Sequence, residues 1–115
     1  MQLGPGFFLV LGLICGCRSS PPPEPARLDP IARRYVTLAL GLGRHDPNYV
    51  DAYYGPESLR VAAEGESLGV AEVRTSADSL IAVLGDTVPA YYDSMIRMRH
   101  RYLRTQLGSM AARAR

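Results

Sequence analysis

Lysine is missing from this chain: all 13 basic residues are arginine, which reads as the coding bias of a GC-rich bacterial genome rather than as chemistry. Cysteine is nearly missing. Cys15 and Cys17 are the only two, and both stand close to the N-terminus. The body of the chain therefore offers no thiol for a disulfide framework or a cysteine zinc site. An excess of either charge is lacking as well. The formal net charge is +2, too small by itself to argue for nucleic acid as a partner. No apolar run approaches the ~20 residues that cross a bilayer. β-Branched residues never cluster and no segment alternates at period two, so strands are not expected. At 115 residues, 47% of them apolar and 21% charged, the chain is a single domain at most, of ordinary globular composition.

What is present begins with Phe7-Phe8-Leu9-Val10-Leu11-Gly12-Leu13-Ile14, an apolar run within the ~7–15 residues of a secretory signal. The stretch before it, Met1 to Gly6, holds only the α-amino charge. The run closes on Ile14-Cys15-Gly16-Cys17. This ending resembles the lipobox of bacterial lipoproteins, where an aliphatic residue, a small residue and Gly or Ala precede the modified Cys. The resemblance implies a signal peptide over residues 1–16 and a mature chain starting at lipidated Cys17. Its sulfur would carry a diacylglycerol and its amine an acyl chain, and at roughly 0.8 kcal/mol per buried CH₂ several chains hold durably where one does not. Cys15 is an uncommon occupant of its place, and a plain hydrophobic leader with two incidental thiols is the competing reading. Lipidation at Cys15 fits worse, with bulky Ile14 before the cut. A Cys15–Cys17 disulfide fits worse still, because alternate residues hold their Cβ atoms badly for bonding. The expected location is the cell envelope, with the membrane as partner through Cys17. Arg18, rather than Asp, favours the periplasmic leaflet of an outer membrane where there is one.

Residues 17–28 read as the lipidated cysteine and a tether. Ser19-Ser20-Pro21-Pro22-Pro23-Glu24-Pro25-Ala26 favours polyproline II at roughly 3.1 Å per residue and suits a helix interior badly. The domain proper is expected over 29–115, all-α, with about five helices. Asp29-Pro30 is an N-cap followed by proline in the first turn. Beyond it Ile31, Tyr35, Leu38 and Leu42 form one helical stripe. Asp46-Pro47 repeats the signal and predicts a short helix from Asn48 to Tyr54, ended by Gly55-Pro56. A third helix is expected over Glu57–Glu64, then a turn over Gly65–Gly69. A fourth begins at Val70 and carries Val73, Ala77, Leu80, Ile81 and Leu84 until Gly85–Pro89 breaks it. The last is expected from Ala90 to about Ala112, burying Tyr92, Met95 or Ile96, Leu103, Leu107 and Met110.

Chemistry-bearing patterns are few. Gly65-Glu66-Ser67-Leu68-Gly69 matches the G-x-S-x-G nucleophile elbow, with Asp78, Asp86 or Asp93 and then His100 in hydrolase order. An elbow needs a buried strand before its serine, and a helical segment stands there instead. A Gly-bounded turn is the better reading. His45 and His100 have no ligand spacing, and no paired carboxylates suit acid–base work. Catalytic and metal residues are therefore both none. Tyr49, Tyr53 and Tyr54 make an aromatic cluster, either core packing or the wall of a ligand cleft. The last helix sets Arg97, Arg99, Arg101, Arg104, Arg113 and Arg115 against Asp93 alone. They are headgroup contacts, a solvated face, or partners for acidic groups outside this chain.

One stretch carries a family likeness. His45-Asp46-Pro47-Asn48-Tyr49-Val50-Asp51-Ala52-Tyr53-Tyr54-Gly55-Pro56, with Tyr35–Arg44 before it and Arg101-Tyr102-Leu103-Arg104-Thr105-Gln106-Leu107 later, resembles the N-terminal part of a group of uncharacterised exported bacterial proteins. That group is related to the helical domain-of-unknown-function zinc metallopeptidases, and the likeness spans roughly residues 31–112. It implies a longer parent whose zinc site is a His-Glu segment closing on Gly-His-His, downstream of the matching region. Nothing of that motif occurs here, so no catalytic residue is carried over and zinc is implied only for a full-length parent. Two expectations result. The chain is a membrane-anchored, non-catalytic N-terminal piece of such a peptidase, with a missing C-terminal domain as partner. Alternatively it is a small stand-alone envelope lipoprotein, a helical module that binds another protein.

Overall fold

Apolar residues at helical spacing become helices in the computed structural model, which describes residues 24–115, with side chains from Arg27 onward. The signal peptide, Cys17 and the tether up to Pro23 lie outside the described residues. Four α-helices follow one another: α1 (Glu24–Gly43), α2 (Glu57–Glu66), α3 (Val70–Leu84) and α4 (Ser94–Arg113). The described residues contain no strand. Among the described residues the all-α expectation holds, with four helices where five were expected.

The first difference lies at the start of α1. The helix begins at Glu24, five residues before the expected Asp29 cap, and takes Pro30 into its interior. An interior proline removes one ladder hydrogen bond and costs about 3 kcal/mol. Leu28 offsets this: it is 1% exposed in the core, a burial that contributes roughly 1.5–3 kcal/mol. The added turn also brings Asp29 Oδ1 to 2.6 Å from an Arg99 guanidinium nitrogen. Leu28 thus extends the stripe of Ile31, Leu38 and Leu42 by one turn, and Glu24–Leu28 belongs to the helix rather than to the tether.

The second difference is the segment after α1, where no helix forms between Asn48 and Tyr54. Asp46 does start a turn. Its side chain accepts the Asn48 N–H at 3.2 Å and its carbonyl accepts that of Tyr49 at 3.0 Å. Only seven residues remained for a helix, and nuclei that short are marginal without packing. The side chains are instead used locally. The Tyr53 ring folds back over Gly55, where any Cβ would collide with it, and its hydroxyl donates to the Pro56 carbonyl at 2.9 Å.

Capping explains the remaining boundaries. Glu72 Oε2 accepts the Gly69 N–H at 2.7 Å and so opens α3. Ser67, at φ 48° and ψ 41°, closes α2 in the left-handed conformation. Asp93 accepts the Ile96 N–H at 2.9 Å, which starts α4 at Ser94 rather than at Ala90.

α1 is the hub. It packs against α2, α3 and α4, whereas α2 meets α1 alone. α3 and α4 form an antiparallel pair: His100 lies against the last turn of α3, while Ala114 and Arg115 lie near Val70 and Arg74. α1 runs parallel to α4, since Asp29 pairs with Arg99 at one end and Asp46 with Arg113 at the other. Between them sits one core, in which Leu38, Val73, Ala77, Leu107 and Met110 are wholly buried.

Candidate functional site

The residues singled out for chemistry turn out to hold loops together. Ser67 Oγ donates to the Glu64 carbonyl at 3.0 Å and accepts from Arg44 at 3.4 Å. It is a helix terminus with no strand before it. His45 Nε2 lies 2.8 Å from the Leu68 carbonyl, so Arg44 and His45 together dock the end of α1 onto the α2–α3 turn. His100 is 1% exposed, with Nε2 2.9 Å from the Leu84 carbonyl. That carbonyl is one of those a helix C-terminus leaves without an intrahelical partner, and His100 supplies its donor from the core side.

The tyrosines regroup. Tyr54 is 96% exposed and Tyr53 turns to Pro56, so Tyr49, Tyr53 and Tyr54 do not share a face. Tyr49 instead packs on the core beside Tyr35, whose hydroxyl donates to Gln106 Oε1 at 3.4 Å. Burial raises both phenols above their usual range, and for Tyr35 the neighbouring Tyr49 and Tyr102 add to it. Next to them Arg113 Nε donates to Asp46 Oδ2 at 2.6 Å. That hydrogen bond holds the Asp46 carboxyl below the ordinary carboxylate range, against a smaller opposing effect of desolvation.

Four of the five arginines of α4 find partners within this chain. Arg99 pairs with Asp29, Arg104 with Asp86, and Arg113 with Asp46. Arg104 also donates to the Gly85 carbonyl at 2.8 Å, and Arg97 to those of Ala90 and Tyr92 at 2.6 and 3.1 Å. Most of the basic row expected to be a free or lipid-facing surface is therefore a set of fasteners between α4 and its neighbours. Arg97, Arg101 and Arg115 have no ion pair among the described residues.

What those fasteners leave open is the outer side of α4. Met95, Met98 and Tyr102 lie at i, i+3 and i+7, with Tyr91 from the preceding turn one step earlier. They are 65%, 52%, 58% and 81% exposed respectively. The opposite side of the helix buries His100, Leu103, Leu107 and Met110. The first half of α4 is thus apolar on two sides. Beside the stripe opens a cleft of about 190 Å³, lined by Asp86, Thr87, Val88, Arg97, His100 and Arg101. Stripe and cleft share one end of the bundle with the start of α1, because Asp29 pairs with Arg99 and Arg27 reaches the Val83 carbonyl at 3.4 Å. The sequence contained this stripe at Tyr91, Met95, Met98 and Tyr102. It was masked because Met95 and Ile96 compete for the inner face, and only Ile96 packs on the core.

Among the described residues, no three His, Cys, Asp or Glu side chains are grouped to hold a metal ion. The two imidazoles each lie against a backbone carbonyl. Also among the described residues, no helix is long and apolar enough to cross a membrane. No protein-family model, curated protein or solved structure matches the chain.

Proposed function

We propose that this protein is a bacterial envelope lipoprotein, anchored through Cys17, whose helical body is not a catalyst by itself. The observation that carries the reading is Ile14-Cys15-Gly16-Cys17 behind a short apolar run, with no described helix able to span a bilayer in its place. The local chemistry of the body agrees with it. Ser67, His45 and His100 each serve a neighbouring carbonyl, an arrangement that gives the fold its loops and, among the described residues, pairs none of them as nucleophile and base. The likeness of residues 35–56 and 101–107 to the exported metallopeptidase-related group supports reading the body as the N-terminal piece of such a protein, with zinc chemistry belonging to the parent. A stand-alone module that binds a protein partner is the second reading, favoured by the exposed stripe on α4.

Metabolic labelling with an acyl analogue tests the anchor. The native chain is expected to take up label and sediment with membranes, and Cys17→Ser to lose both. Undiminished labelling of Cys17→Ser refutes the assignment. Genomic sequence beyond the codon for Arg115 separates the two readings: a downstream frame encoding His-Glu and Gly-His-His supports the first, a terminator followed by intergenic DNA the second.

A further inference from the structure

We propose that the outer face of α4 is a membrane-docking surface, with Tyr91, Met95, Met98 and Tyr102 seated at the interface of an anionic phospholipid bilayer and Arg101 meeting its headgroups. The orientation rests on the Cys17 anchor reading; the surface itself rests on the geometry of α4.

The side-chain chemistry points to this occupant. Tyrosine has an apolar ring and a polar tip, the combination that settles at a lipid–water boundary. Methionine adapts its unbranched chain to a fluid surface better than to a fixed pocket. The stripe is bordered by cations, and Arg97 and Arg101 are the ones with no carboxylate to neutralise them among the described residues. The other basic groups on this half of the helix, Arg99 and Arg104, are paired with Asp29 and Asp86. Positive charge that the fold leaves uncompensated beside an apolar stripe complements a negatively charged lipid surface. The cleft formed by Thr87, Val88, Arg97, His100 and Arg101 lies alongside and offers Thr87 and the Arg101 guanidinium to a phosphate, Arg97 already donating to the Ala90 and Tyr92 carbonyls. Asp86, which also lines it, faces Arg104.

Position supplies the second argument. The stripe sits at the end of the bundle where the chain arrives from Cys17. Seven residues, Cys17 to Pro23, precede α1, and even fully extended they reach at most about 25 Å. A lipidated Cys17 therefore confines that end, and not the Asp46–Arg113 end, to the neighbourhood of the headgroups. Each contact alone is weak. Held beside the bilayer by the anchor, the stripe docks in an effectively intramolecular step.

The test uses the full chain carrying Cys17→Ser, so that no acyl chain contributes, and co-sedimentation with vesicles of mixed phosphatidylglycerol and phosphatidylcholine or of phosphatidylcholine alone. The leader is common to every variant, so differences between variants report the body. Met98→Glu and Tyr102→Glu place a carboxylate on the stripe, and each is expected to weaken binding to the anionic vesicles roughly tenfold. Arg101→Glu is expected to weaken it comparably, as is raised salt, which screens exposed charges. Val61→Glu, on α2 and 58% exposed, is the matched control and leaves binding unchanged. All these positions are exposed, and circular dichroism of each variant verifies that helices persist. Two outcomes overturn the proposal. One is binding by Met98→Glu and Tyr102→Glu equal to that of Val61→Glu. The other is a fall in oligomeric mass with vesicle binding intact, which makes the face an interface between copies of the chain. The anchor reading fails on a different measurement, absence of acyl label on the native chain, which leaves the vesicle comparison untouched.

Discussion

Replacing His100 tests how this small body is held together. Its imidazole is 1% exposed between α3 and α4, and Nε2 lies 2.9 Å from the Leu84 carbonyl. Two contributions separate in two substitutions. His100→Phe keeps an aromatic ring, somewhat larger than imidazole, and removes the donor; the buried carbonyl left unsatisfied costs about 1–3 kcal/mol, and any overpacking adds to it. His100→Ala removes the ring as well and opens a cavity in a packed interior, for a total of about 3–5 kcal/mol. At ~0.05–0.15 kcal/mol per residue the described part of the chain has roughly 5–13 kcal/mol in all, so the alanine variant forfeits a large share. Urea denaturation followed by far-UV circular dichroism reads the difference. With a slope of about 1–2 kcal/mol per molar urea, the midpoint falls by about 0.5–3 M for His100→Phe and further for His100→Ala. A phenylalanine variant as stable as the native chain refutes the claim that the Leu84 carbonyl depends on His100. Equal losses for both variants would refute the separate packing contribution.

Three other expectations are independent of that one. Leu28→Ala should cost about 2–5 kcal/mol if α1 starts at Glu24 and Leu28 is core; a loss near zero in the same urea assay would return residue 28 to the tether. Arg113→Gln removes the partner that lowers the Asp46 carboxyl. A depressed carboxylate stabilises the fold above its unfolded value, about 3.9, and that contribution vanishes as pH falls through the lower folded value. The two proteins should therefore differ in stability above about pH 4 and converge in stronger acid, and a difference that persists unchanged into strong acid is incompatible with the pairing. Gly55→Ala should displace the flexible end of Tyr53 and break its bond to Pro56, for about 0.5–1.5 kcal/mol; unchanged near-ultraviolet dichroism and stability would mean that the ring does not lie over Gly55.

Much of the helical framework is legible in the chain because helical periodicity is a local property. Ile31, Leu38 and Leu42 on α1, Val73, Ala77 and Leu84 on α3, and Leu103, Leu107 and Met110 on α4 repeat at the spacing that buries one face. Gly85 marks the end of α3 by its backbone, whereas the start of α4, expected at Ala90, is set by the Asp93 side chain. Two local signals misled for one reason. Asp29-Pro30 and Asp46-Pro47 are similar as dipeptides, yet the first lies inside α1 and the second opens a single turn. What separates them is whether a buried leucine at position 28 repays the interior proline and whether residues 48–54 pack better as a helix than as a turn. Neither condition is written in the dipeptide. The candidate surface was half visible in the same sense, since the spacing of Met95, Met98 and Tyr102 was there to read, but the side of α4 turned inward was not.

The sequence by itself determined the helical class and the apolar stripes that the helices bury, because each depends on neighbours within a few residues. Tertiary structure alone decided what the polar side chains do. His45, His100, Arg99, Arg104 and Arg113 spend their polar contacts on carbonyls and carboxylates of other segments, up to 67 residues away for Arg113 and Asp46. A donor's partner is fixed by packing across helices, which no local pattern encodes, and that same packing leaves Tyr91, Met95, Met98 and Tyr102 facing outward.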